Sequence, residues 1–175
     1  MKKIDNFKIK FFADGADLKD FKKLSKNKLV SGFTTNPSLM RKSGITNYLS
    51  FAKKVLKIIK IKPVSFEIFA DDIEEIEKQA LKISKLGKNV FVKIPIINTK
   101  KKTNAKLIAK LNEQGIKVNV TAIFTLQQTK SLFKLLNKKT EIILSVFAGR
   151  IADTGINAKL EMKKHIKNCK SKKNV

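Results

Sequence analysis

Histidine, cysteine and tryptophan are almost missing from this chain. Its 175 residues include one His, one Cys and no Trp. Cys169 alone excludes a disulfide framework and a CxxC metal pair. His165, set among Lys163, Lys164 and Lys167, leaves no room for an HExxH motif or a histidine metal site, and gives a Ser-His-Asp triad no support. Acid–base chemistry in this chain falls to carboxylates and lysine. Phosphate-binding loops of the GxGxxG or GxxxxGK kind are absent, which weakens a nucleotide-binding reading. Met1-Lys2-Lys3 runs into Ile4-Asp5-Asn6 without the apolar core of a signal peptide, and no apolar run approaches the length of a membrane span. A reduced cytoplasm without a membrane partner is the setting these absences predict.

Lysine is what the chain has in excess. The formal net charge is +25, from 39 basic against 14 acidic residues, and only Arg41 and Arg150 of the basic residues are arginines. Base and phosphate recognition favours the bidentate guanidinium, so this composition argues against specific nucleic-acid binding. The lysines are spread along the whole sequence, Tyr48 is the one tyrosine, and most phenylalanines sit in apolar runs. Salt-sensitive adhesion to polyanions follows from the charge whatever the function. A basic, non-catalytic polyanion binder stays open as an alternative; it predicts binding indifferent to the candidate site residues below.

A hydrophobic fraction of 42% suits one compact domain spanning residues 1–175. β-rich runs at 8–13, 29–34, 63–69, 90–94, 117–121 and 142–147 alternate with helical periodicity at 46–61, 72–86, 103–114, 125–137 and about 156–168. The stripe Ile73, Ile76, Ala80, Ile83 and Leu86, stopped by Gly87, is the clearest helix. Strands spaced by helices of this length predict βαβ units and a parallel sheet, either open and doubly wound or an incomplete barrel.

Lys93 stands inside the most apolar of these runs, Val90-Phe91-Val92-Lys93-Ile94-Pro95. Such a run reads as a strand buried on both faces. A lysine in that setting tends to give up its proton, and a neutral amine is a nucleophile able to form a Schiff base with a carbonyl substrate. The other strands favour the barrel. Asp14 ends the first, Asn36 follows the second, Glu67 lies near the end of the third, Thr121 ends the fifth, and Ser145 lies late in the sixth with Arg150 just beyond. Singly, each passes for a turn, cap or edge residue. One polar group at the carboxyl end of every strand is how a (β/α) barrel builds its site.

Phe11-Phe12-Ala13-Asp14-Gly15-Ala16, Gly32-Phe33-Thr34-Thr35-Asn36-Pro37-Ser38-Leu39 and Val92-Lys93-Ile94-Pro95 resemble successive signatures of the transaldolases, in particular the small bacterial subgroup that includes fructose-6-phosphate aldolase. Asn119-Val120-Thr121-Ala122-Ile123-Phe124 and Ser145-Val146-Phe147-Ala148-Gly149-Arg150-Ile151 continue the likeness in order, to about Met162. The resemblance implies a parallel (β/α) barrel of TIM type, here incomplete, with about six βα units and the last two (about 50 residues) missing. It implies class I aldol chemistry on sugar phosphates, without metal or cofactor. Lys93 matches the Schiff-base lysine, Asp14 the carboxylate that exchanges a proton with the substrate hydroxyl, and Glu67 with Thr121 the pair that holds a water. Asn36, Asn119 and Ser145 match the groups around a dihydroxyacetone unit, and Arg150 a phosphate ligand. Glu67, Asn119 and Phe147 are of the transfer type rather than the simple aldolase type. Gly15, Ile96-Ile97 and Val146 depart from the usual residues. Aldolase-type cleavage, a non-catalytic remnant and a homo-oligomeric assembly stay open.

Overall fold

Short strands and helices alternate along residues 9–136 and 140–170, the residues that the computed structural model describes. The strands are β1 (Phe11–Asp14), β2 (Val30–Thr34), β3 (Val64–Glu67), β4 (Val90–Pro95), β5 (Val118–Ile123) and β6 (Ile142–Val146). The helices are α1 (Leu18–Ser25), α2 (Pro37–Lys42), α3 (Tyr48–Ile58), α4 (Ile73–Ser84), α5 (Ala105–Glu113), α6 (Leu126–Phe133), α7 (Ala148–Asp153) and α8 (Ala158–Cys169). The six parallel strands lie in sequence order, β1 to β6, in one sheet. This is an incomplete parallel (β/α) barrel fold of TIM type, as the alternation of runs predicts. The helical run at 125–137 and the strand run at 8–13 each reach a residue, Asn137 and Lys8, outside the described ones.

Helix starts follow local chemistry. Asp17, Asn36, Asn47, Thr125 and Asn157 each accept from a backbone N–H of the first turn, and Pro37 opens α2 where its missing N–H costs nothing. The six-residue helices α2 and α7 have too few residues for a periodic stripe, and the apolar pattern passes over them.

The chain divides into two compact units. The first runs to Glu67 and includes Lys82–Phe91; the second holds Ile68–Leu81 and the described residues from Val92 onward. In the first unit β2 is flanked by β1 and β3, with Phe12 level with Gly32 and Phe33 level with Val64. Phe33, fully buried, meets Phe21 edge-on at 5.3 Å, and Phe21 lies 6.3 Å from Phe51 on α3. Gly32 marks a close approach: a Cβ there would push the Phe12 ring aside. Asn89 donates to the carbonyls of Ile59 (3.0 Å) and Lys62 (2.8 Å), closing the turn that leads into β3.

In the second unit β5 is flanked by β4 and β6. Val92, Ile94, Val118, Val120 and Ile123 are fully enclosed, together with Ile108 and Leu111 of α5 and Leu132 of α6. After β4 a short hairpin closes with an antiparallel bridge from Ile97 to Thr103, and the Asn104 amide donates to the Pro95 carbonyl at 3.0 Å. Among the described residues no helix is long and apolar enough to cross a membrane.

Candidate active site

The first unit carries three of the sequence-predicted site residues, each at a strand end. Asp14 closes β1 and is exposed; the Thr34 hydroxyl donates to its Oδ1 at 2.7 Å. Asn36 is the N-cap of α2, its Oδ1 accepting from the Leu39 N–H at 3.0 Å, so its amide NH2 remains for other work. Glu67 ends β3 and is half-buried. Its main-chain carbonyl accepts from the Tyr48 hydroxyl at 2.8 Å. Burial, aided by the Glu67 charge, raises the Tyr48 phenol far above its ordinary range, so it stays a neutral donor. Two groups here escape sequence reasoning: Tyr48, whose stripe position marks it only as core, and Thr35, whose fully buried hydroxyl has no partner among the described residues. A cleft of about 460 Å³ in this unit, lined by Lys19, Thr46, Asn47 and Lys54, holds none of the predicted residues.

The second unit gathers four more. Lys93 pairs with Asn119 across β4 and β5, and Pro95 with Thr121. On β6 the Ser145 hydroxyl donates to Asn119 Oδ1 at 2.8 Å. Asn119 and Thr121, two residues apart, share a face and are each 1% exposed. The Thr121 hydroxyl finds no partner among the described residues, a costly state for a buried donor. It marks a position where a water or a substrate hydroxyl is called for. The run around Lys93 is not buried on both faces, contrary to the sequence expectation. Val90 to Val92 and Ile94 are buried, but Lys93 and Pro95 are only half-buried, because the face they share is partly open. An amine in that position reaches a ligand without crossing the core.

Arg150 stands apart from this group. It lies on α7 with its guanidinium exposed and 3.5 Å from the Asp153 carboxylate.

One backbone feature of β5 had no signal in the sequence. Its register against β6 passes from Val120–Leu144 to Ile123–Val146, so Thr121 and Ala122 together oppose Ser145. Ala122 takes φ +55°, the left-handed region that side chains other than glycine seldom enter. A bulge at this point bends the strand where Thr121 must be aimed.

The sequence model of the transaldolase/fructose-6-phosphate aldolase family matches residues 11–175. The chain belongs to that family. A protein of Brucella anthropi named probable transaldolase is 38% identical over 149 residues, which cover 85% of this chain and 64% of the relative. Another of that name, from Bartonella henselae, is 36% identical with the same coverage. A third, from Methanococcus vannielii, is 37% identical over 147 residues, covering 84% of this chain and 64% of its own length. The chain thus spans less than two thirds of the length of these relatives. Lys93 lies in β4, two residues before its end.

Proposed function

We propose that this family member carries out class I aldol transfer, moving a dihydroxyacetone unit between sugar phosphates through a Schiff base on Lys93. The Lys93 amine adds to the ketose carbonyl; the carbinolamine loses water with Glu67 and Thr121 passing the protons. Asp14 takes the proton of the substrate hydroxyl as the carbon–carbon bond breaks, and returns it when the acceptor aldehyde is attacked. Asn36, Asn119 and Ser145 orient the hydroxyls of the three-carbon unit, and Arg150 attracts the phosphate. This route needs no metal or cofactor. It suits one barrel domain over residues 1–175, working in the cytoplasm on sugar phosphates, with neither a specific nucleic acid nor a membrane as partner.

The observation that supports the reading most is the juxtaposition in the second unit: a half-buried lysine in register with buried Asn119, Ser145 bonded to that asparagine, and the buried Thr121 hydroxyl left over. Simple cleavage of the fructose-6-phosphate aldolase kind is the second reading. Glu67, Asn119 and Phe147, the residues that match the transfer type, favour transfer.

Borohydride reduction in the presence of fructose 6-phosphate tests the core of the reading. One three-carbon unit is expected on Lys93 and none in Lys93→Ala. Labelling spread over other lysines, or undiminished in that variant, would overturn it and leave the non-catalytic remnant or polyanion binder.

A further inference from the structure

We infer that Phe124 is a specificity-determining residue of the same site, set with Phe147 as an apolar wall that keeps water from the intermediate on Lys93; this rests on the Schiff-base reading above. The bulge is what brings Phe124 there. In a regular strand Ile123 would share a face with Asn119 and Thr121, and Phe124 would share one with Val118 and Val120. The extra residue at Thr121–Ala122 reverses that phase. Ile123 is fully buried, as are Val118 and Val120, while Phe124, just past the strand, is 40% exposed. Phe124 meets Phe147 edge-on, with ring centroids 5.6 Å apart and planes at 62°.

The backbone that carries both rings is held in place. The Gln128 side chain accepts from the N–H groups of Phe124 (2.9 Å) and Thr125 (3.0 Å), within the capping box of α6. The Phe147 N–H donates to the Ile123 carbonyl at 2.9 Å. A pair of large rings left partly in solvent gains little from burial, so the left-handed alanine that aims Phe124 is poorly explained by core packing. It is explained by a ring that the site requires on this face.

The enamine on Lys93 has two fates. In transfer, its nucleophilic carbon bonds to the aldehyde carbon of the acceptor, whose oxygen takes a proton; water then hydrolyses the iminium, releasing the new ketose and the Lys93 amine. In release, the same carbon takes a proton from solvent, and hydrolysis of that iminium frees dihydroxyacetone. Excluding water from the enamine carbon favours the first.

The test compares the parent chain with Phe124→Ala, Phe124→Tyr and Gln128→Ala. Acylation of Lys93 by a small electrophile, mapped by mass spectrometry, needs no turnover. Lys93 should label about tenfold faster in Phe124→Ala, the scale of one lost apolar contact in a pocket, with other lysines unchanged. Gln128→Ala, which frees the ring without shortening it, should fall between. Unchanged Lys93 labelling in both overturns the wall. With fructose 6-phosphate and erythrose 4-phosphate, the ratio of free dihydroxyacetone to transferred product should rise in Phe124→Tyr, which keeps the ring and brings a hydroxyl. An unchanged ratio there overturns the specificity role. A parent that takes no borohydride label at Lys93 overturns the Schiff-base reading and this specificity role with it, even where the acylation result upholds the wall.

Discussion

In the first compact unit the polar strand-end residues are tied to the scaffold around them; in the second they are buried among one another. Asp14 is exposed and takes the Thr34 hydroxyl, and Asn36 uses its oxygen to start α2. Asn119 and Thr121 are both 1% exposed, Ser145 is bonded to Asn119, and the Thr121 hydroxyl is left over, as that of buried Thr35 is in the first unit. The strands differ in the same way. In β1, an outer strand, Phe11 and Phe12 are exposed, while in β5 every residue but Ala122 is buried. Polar groups that do scaffold work are cheap to keep. Buried groups short of a partner are costly, and each calls for a water or a ligand to complete it.

The largest expected effect tests the burial contrast directly. Ile123→Ala in β5 removes a fully enclosed side chain and should cost about 2–5 kcal/mol by urea unfolding. Phe12→Ala in β1 removes a larger side chain but one that is 38% exposed, and should cost only about 1 kcal/mol. Equal costs would break the comparison.

A smaller effect separates the polar groups. Ser145→Ala withdraws a donor from buried Asn119 and should destabilise by about 1–2 kcal/mol. Thr34→Val withdraws the matching donor from exposed Asp14 and should change stability by only about 0.5 kcal/mol. On the proposed mechanism both should slow turnover, so stability and activity part company at Thr34 and move together at Ser145.

Much of this contrast was legible in the sequence, and the illegible part has a physical cause. The six strand runs and the longer helices announce themselves by period, and the residues at the strand ends fall in phase. TTNPS and VKIP, at their separation, carried the family. The runs could not say how open a strand's face would be, and so Lys93 was expected deeper than its half-buried position. Helices α2 and α7, of six residues each, are too short for an apolar stripe. The bulge at Ala122 was invisible because alanine has no preference for the left-handed region; it is imposed by the register with β6. Tyr48 reads as core because its half-buried ring meets Phe66 edge-on at 6.2 Å, while its hydroxyl reaches the Glu67 carbonyl.

The smallest expected effect concerns another buried polar group of the second unit. His165 on α8 is 2% exposed and shares a 2.8 Å hydrogen bond with Thr129 on α6, while its Nε2 has no partner among the described residues. Burial lowers its pKa from the ordinary 6.5, against a weaker opposing pull from Glu161. Because the folded value is depressed, the neutral ring's contribution to stability is fully present above the unfolded value of 6.5. It is lost as pH falls toward the folded value, and levels off below it. Asp71, held down by its hydrogen bonds from Thr99, also loses stability on acidification, from its ordinary 3.8 downward. The urea midpoint should therefore drop between about pH 7 and pH 5, and the drop should shrink in His165→Gln, whose amide takes no proton in that range. A parent midpoint that is flat over this interval would mean that acid reaches His165 as easily in the folded chain as in the unfolded one. The second unit would then keep its buried polar groups no drier than the first keeps its exposed ones.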